Sequence, residues 1–225
     1  MWCVAELDAE YIAKMEDLLA LYARPYDRRE PVVCLDEKPV PLHADVRPPR
    51  RARPGHLAKR DSEYRRCGTA NVFAIVEPKA GRHFTHATPN RSGAQFARAV
   101  QRVVRAYPAA RTVHLVMDNL STHTEKALTE HLGTRAGRAL WRRLTVHFTP
   151  KHGSWLNQAE IELSLFSRGC LGHRRIPALL SLRRETRAWT PRANAARVRI
   201  RWRFTRQDAR RKFGYQRNLS NRSET

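Results

Sequence analysis

Lysine is scarce in this chain, seven of 43 basic residues, so 36 of its cations are arginine. Acids are few as well, 21 in 225 residues, and the net charge is +22. A protein so short of carboxylates does not seek cationic partners; its default partner is a polyanion, and arginine forks suit phosphate oxygens. No apolar run approaches the roughly 18–20 residues of a spanning helix, and Met1 to Glu6 lacks the basic and apolar regions of a secretory leader. A cytoplasmic protein is expected. The cysteines Cys3, Cys34, Cys67 and Cys170 lie far apart without a Cys-x-x-Cys, which excludes a zinc knuckle and a disulfide framework and suggests reduced, mostly buried thiols. What is plentiful is core material. A hydrophobic content of 41% with five tryptophans argues against a disordered basic tail and for about one folded domain.

Ile12, Met15, Leu18, Leu19 and Tyr22 recur at helical spacing, predicting one amphipathic helix over 8–22. The run Pro31 to Asp36 reads as a strand buried on both faces with an acid at its carboxyl end. From Pro39 to Gly68 five prolines alternate with arginines, including Arg47, Arg50, Arg51 and Arg53, and an extended basic arm rather than a folded element is expected. Strands follow at 69–77 and 82–88, joined as a hairpin across Pro78 to Gly81. A helix with Phe96, Val100, Val103 and Val104 on its buried stripe ends at Tyr107-Pro108. Thr112 to Met117 predicts a second doubly buried strand, again ending at an acid, Asp118, and Leu144 to Phe148 a third core strand. Helices are expected at 122–132, 156–167 and 177–189, the last with Pro177 at its start. The order predicts an α/β fold. The last 45 residues hold 14 basic and 3 acidic groups, and within them Val198, Ile200, Trp202 and Phe204 alternate with arginines, predicting a strand laid on the domain with a cationic outer face.

Sites in open α/β sheets form at strand carboxyl ends, so Asp36, Asp118 and one of Glu160 or Glu162 are the candidate site acids. Converging carboxylates repel unless protons or divalent cations balance them, and oxygen-only ligands select magnesium or manganese. Two such ions about 3.5–4 Å apart would serve phosphoryl transfer, in keeping with the basic surface. The bland alternative is that Asp118 begins an Asx turn and Glu160 is a solvated helix residue. Helix geometry does not choose between the glutamates, since both lie roughly 80° from the centre of the stripe Leu156, Ala159, Leu163, Phe166, on opposite flanks.

The segments Cys34-Leu35-Asp36-Glu37-Lys38-Pro39, Val116 to His123 (Val-Met-Asp-Asn-Leu-Ser-Thr-His) and Thr149 to Glu160 (Thr-Pro-Lys-His-Gly-Ser-Trp-Leu-Asn-Gln-Ala-Glu) resemble the three ordered motifs of DDE-type transposases, the mariner-related branch found in bacterial insertion sequences. The resemblance spans roughly residues 8–212. It implies a ribonuclease H-like mixed sheet flanked by helices, with Asp36, Asp118 and Glu160 binding two magnesium or manganese ions; Glu160 is the choice because its motif runs Asn-x-x-Glu. The implied chemistry is attack of water on a phosphodiester at the element's ends, followed by attack of the freed 3′-hydroxyl on target DNA, commonly at a TA step. Transposon-end and target DNA are the implied partners, with a homodimer, at the bacterial nucleoid. The arm at 39–68 stands where mariner-type relatives insert a clamp loop that reaches a partner subunit.

The resemblance also implies a division into a linker helix over 1–30, a catalytic domain over 31–190 with the basic insertion, and a basic carboxyl-terminal segment over 191–225. Amino-terminal helix-turn-helix modules of the kind relatives carry are not expected within the chain, which would make it a catalytic fragment or leave end recognition to a separate polypeptide. Lys38, Lys151, His152, Arg50, Arg51, Arg53, Arg199, Arg201 and Arg203 are candidate DNA contacts, although Lys38 and Lys151 equally suit salt bridges to Glu37 or Glu162. Trp155 would stack on a displaced base or serve as a helix-flanking core aromatic. His123, His147 and His152 are expected nearest the acids, with His123 orienting the Asp118 loop; their spacing does not suit zinc. Ser121 and Ser154 lack a nucleophile-elbow context. Rival readings are a catalytically silent DNA-binding remnant, a ribonuclease H-like structure-specific nuclease, and a nucleic-acid chaperone indifferent to loss of any acid.

Overall fold

The computed structural model describes residues 7–215. Helix α1 (Ala9–Ala23) leads into a long antiparallel pair, β1 (Val32–Asp45) and β2 (Tyr64–Glu77), and a turn to β3 (Arg82–Thr88). Then come α2 (Gly93–Ala106), β4 (Val113–Met117), the short helices α3 (Glu125–Leu132) and α4 (Thr134–Trp141), β5 (Leu144–Phe148), α5 (Ala159–Phe166), α6 (Leu179–Ala196) and α7 (Arg206–Phe213). The sheet has five strands in the order β3-β2-β1-β4-β5. The β1–β2–β3 meander is antiparallel, whereas β4 and β5 run parallel to β1.

Strand alternation sorts the core into two layers. On one face Val33, Leu35, Phe73, Ile75 and Leu115 meet the stripe Phe96, Val100, Val103, Val104 of α2. On the other, Cys34, Val76 and Val116 meet Tyr11, Met15, Leu18 and Leu19 of α1, and farther along the meander Val40, Val72 and Ala74 meet Leu163 and Phe166 of α5 and Leu182 of α6. Each such large apolar side chain contributes about 1.5–3 kcal/mol on burial, so the helices on both faces are held by side chains the alternation dictates. Asp8 caps α1 by accepting from the Tyr11 amide at 2.7 Å.

Several sequence expectations are corrected. The segment 39–68 is not an unfolded arm throughout: β1 continues to Asp45 and β2 begins at Tyr64, leaving 46–63 as the connecting loop. Pro39 and Pro41 are tolerated because β1 pairs with β4 at Val32–Cys34, so its outer half is bonded on one side, to β2. Strand β5 is not a core strand; it lies at the sheet edge and is half-buried. Helix α4 lies in a stretch for which the sequence predicts no element. A side chain at Gly137 would come within 2.6 Å of Thr129, so its absence lets α4 pack on α3. Helix α5 starts at Ala159, after a short 3-10 turn over Ser154–Leu156, and Pro177 precedes α6, which runs past Trp189 with Pro191 inside it. The segment 197–203 is not a strand. The nearby edge of β3 is taken by α6, whose Thr190 and Asn194 side chains bond the main-chain N–H and C=O groups of Thr85 and His83. Ile200, Trp202 and Phe204 still pack inward, with Arg199, Arg201 and Arg203 exposed, but Val198 points out. Of the thiols, Cys34 is buried, Cys67 and Cys170 are partly exposed, all three are free, and Cys3 lies outside the described residues.

Candidate active site

The parallel pairing of β1 with β4 sets the geometry. Val32 stands opposite His114 and Cys34 opposite Val116, so Asp36 and Asp118 both follow the paired stretch at the carboxyl ends of adjacent parallel strands, near enough for the Asp118 charge to act on Asp36. Strand β4 ends at Met117, leaving Asp118 at the start of the following loop. The third acid arrives from α5. Asn157 donates through Nδ2 to the Leu35 carbonyl at 2.9 Å and accepts from the Ala159 amide through Oδ1 at 3.1 Å, pinning the start of α5 to β1 just before Asp36. Tyr22 of α1 supports the same turn, its hydroxyl donating to the Leu156 carbonyl at 2.6 Å. Glu160, three residues beyond Asn157, is exposed and lies in the field of Asp36.

The electrostatics are those of gathered acids. Burial, and then the charges of Glu37, Asp118 and Glu160, push the Asp36 carboxyl up to about 7, against a partial downward pull from the Glu37 amide that donates to it. The folded chain therefore holds a proton between about pH 4 and 7 that the unfolded chain has lost, so stability from this group falls as pH rises through that window. The metal-free protein is expected to show a lower urea midpoint at pH 7.5 than at pH 5, with a smaller difference in Asp36→Asn; an identical difference in the variant would contradict the raised value. His123 shifts the opposite way to burial: its desolvation lowers the pKa, but contacts with Asp118 and Glu37 outweigh that and raise it to about 9. Its Nδ1 donates to the Asp118 carbonyl at 3.1 Å and lies 2.7 Å from Asp118 Oδ1.

The two candidate glutamates separate cleanly. Glu162 is 1% exposed, with Oε2 2.6 Å from His83 Nδ1 and Oε1 accepting from Trp189 Nε1 at 2.8 Å. It joins β3, α5 and α6, while Glu160 faces outward. Asp36 and Glu160 line a cleft of about 510 Å³ with Lys38, Ser164, Ser167 and Arg168; Asp118 lines a second, of about 750 Å³, with Lys14, Lys151 and His152. The donor set of Asp36, Asp118 and Glu160, all oxygen and mutually repulsive, fits a divalent cation, although among the described residues no group of three His, Cys, Asp or Glu side chains is gathered closely enough to hold an ion as it stands.

Lys38 bonds Ser167 Oγ at 2.9 Å rather than either glutamate. Lys151 and His152 are exposed in the larger cleft, His152 with a positive φ of 62°. His147 is committed elsewhere, to Asp17 at 2.6 Å and His114 at 2.9 Å beneath α1. Trp155 donates to the Tyr11 hydroxyl at 3.2 Å and packs against Trp202, Phe204 and Phe213, which is the core-aromatic alternative. Arg50, Arg51 and Arg53 are exposed on the 46–63 loop. Its base is fixed by Arg175, which bonds Asp45 and the carbonyls of Asp61, Ser62 and Glu63 at 2.7–3.0 Å. Sequence reasoning missed Arg168, Arg175 and the anchoring role of Asn157. Only Asn157 left a signal, standing inside the third motif.

The fold is similar to that of solved transposases. Mos1 transposase in a paired-end complex with the left transposon end matches at 17% identity and a TM-score of 0.55, covering 88% of this chain and 62% of that one. The Mos1 mariner paired-end complex with Mn matches at 16% and 0.56 over the same shares, and the catalytic domain of Mos1 mariner transposase at 14% and 0.53, over 89% of this chain and 100% of that one. The chain thus spans 62% of the length of the transposases in those paired-end complexes. No curated protein matches. The mixed sheet flanked by helices is the ribonuclease H-like fold of those catalytic domains, and with residues 31–183 matching the model of the DDE superfamily endonucleases, the chain belongs to that family.

Proposed function

We propose that the chain is the catalytic domain of a transposase that cuts DNA at the ends of an insertion sequence and joins the freed 3′-hydroxyl to a target. The observation that supports this reading is that Asp118 and Glu160 both act on the Asp36 carboxyl, at the ends of the paired strands β1 and β4 and beside the α5 start that Asn157 anchors. Members of the family use divalent metal ions; held by Asp36, Asp118 and Glu160, two magnesium or manganese ions would supply the charge that activates an attacking oxygen and steadies the leaving one. The protein's own part is positioning. Lys38 and Arg168 in one cleft, and Lys151 and His152 in the other, hold phosphates on either side of the acids, and Arg199, Arg201 and Arg203 extend the cationic surface. The 46–63 loop with Arg50, Arg51 and Arg53, presented on a base locked by Arg175, fits a clamp toward a second copy in a homodimer.

The test uses labelled duplexes carrying the element's ends, incubated with manganese or magnesium. Nicking that requires the ion, followed by joined products when target DNA is added, is expected. Nicking without joining would favour a structure-specific nuclease, and DNA binding without nicking a silent remnant.

A further inference from the structure

Glu37 follows Asp36 in β1, so its side chain leaves through the opposite face of the sheet. There it is 1% exposed, and neither carboxylate oxygen has a hydrogen-bond partner. A buried carboxylate needs a counter-charge. What faces it is His123, also 1% exposed, with Nε2 3.4 Å from Glu37 Oε2. The other nitrogen of the ring grips Asp118 at both its carbonyl and its carboxylate. The carboxylate contact, at 2.7 Å to the buried Oδ1, is a close contact of charge. Phe96 of α2 stacks on the imidazole with centroids 4.5 Å apart and holds its plane. One ring therefore links the residue after Asp36 to Asp118, across the end of the β1–β4 pair.

We infer that Glu37 and His123 form a buried tie that positions the Asp118 carboxylate against Asp36 for cation binding. The inference rests on the reading of Asp36, Asp118 and Glu160 as the metal-binding acids. Both are positioning residues: Glu37 lies on the far face of the sheet from Asp36, and His123 acts through Asp118. The tie is needed because β4 stops at Met117, so the ladder that orients Asp36 does not extend to Asp118.

Manganese is titrated calorimetrically into the full chain, Glu37→Gln, His123→Ala and the double variant, with thermal melts of each and a repeat with duplex DNA present. Each single variant is expected to bind manganese at least about tenfold more weakly, and the double variant no more weakly than either single, as for one coupled unit. His123→Ala, which strands the Glu37 charge, is expected to melt lowest; the double variant regains melting temperature but not manganese affinity, which separates positioning from folding. Unchanged affinity in Glu37→Gln, or losses that multiply in the double variant, would overturn the tie while the metal site stands. A wild-type chain that takes up no manganese with or without DNA would overturn the metal reading and the tie together.

Discussion

Asp118→Asn is expected to lower metal-dependent strand cleavage by roughly a thousandfold or more, while DNA affinity stays equal or rises. Removing one preorganised charge-stabilising group from a phosphoryl-transfer or acyl-transfer site costs about a hundred- to a thousandfold, and a carboxylate expected to hold a cation carries more than a single hydrogen bond. The substitution is nearly isosteric, so the contact with His123 at 2.7 Å survives sterically while its charge is lost. Asp118 is also one of the charges that raise the Asp36 carboxyl, so in the metal-free fold the relief of that repulsion opposes the loss of one of the two charges that face His123. On a chain of net charge +22, deleting an acid beside the clefts strengthens attraction to phosphate, and the salt dependence of binding should remain steep. Cleavage rates on labelled duplex and anisotropy titrations across salt concentrations measure both. Wild-type cleavage in the variant would dismiss the site.

Much of this arrangement is legible in the residues. The run ending at Asp36 is continuously apolar and the one ending at Asp118 is interrupted only by His114, because their strands are interior to the sheet and covered on both faces, and that pattern locates the acids at strand ends without any structure. Where legibility fails, tertiary context decides. Leu144, Val146 and Phe148 pack on one face while Thr145 is exposed, an alternation that belongs to an edge strand, but with so few residues it passes for a core strand. The run 197–204 alternates as a strand does, and its inward residues do pack on α1 and Trp155, yet no pairing follows, since α6 reaches the β3 edge with Thr190 and Asn194. Pro39 and Pro41 argue against a strand until the register shows that their side of β1 has run past β4.

The choice between Glu160 and Glu162 is the case in which periodicity is silent and burial speaks, and it yields opposed expectations. Glu162→Ala removes the acceptor for both His83 and Trp189 in a spot where the carboxylate is 1% and the imidazole 4% exposed. Leaving buried donors without their acceptor costs about 1–3 kcal/mol each, enough to loosen α6 from β3 and to endanger a marginal domain. Glu160→Ala touches an exposed side chain on the cleft; its effect on stability should stay within about 0.5 kcal/mol, or favour the fold by relieving the repulsion on Asp36, while cleavage is lost. Urea unfolding and duplex cleavage on both variants decide it. A stable Glu162→Ala that cannot cleave, beside an active Glu160→Ala, would exchange the two roles. The opposite pattern would mean that α5 divides its labour by side: Glu162 fixes the helix to the sheet, and Glu160, carried past the Asn157 anchor, is thereby held at the end of β1.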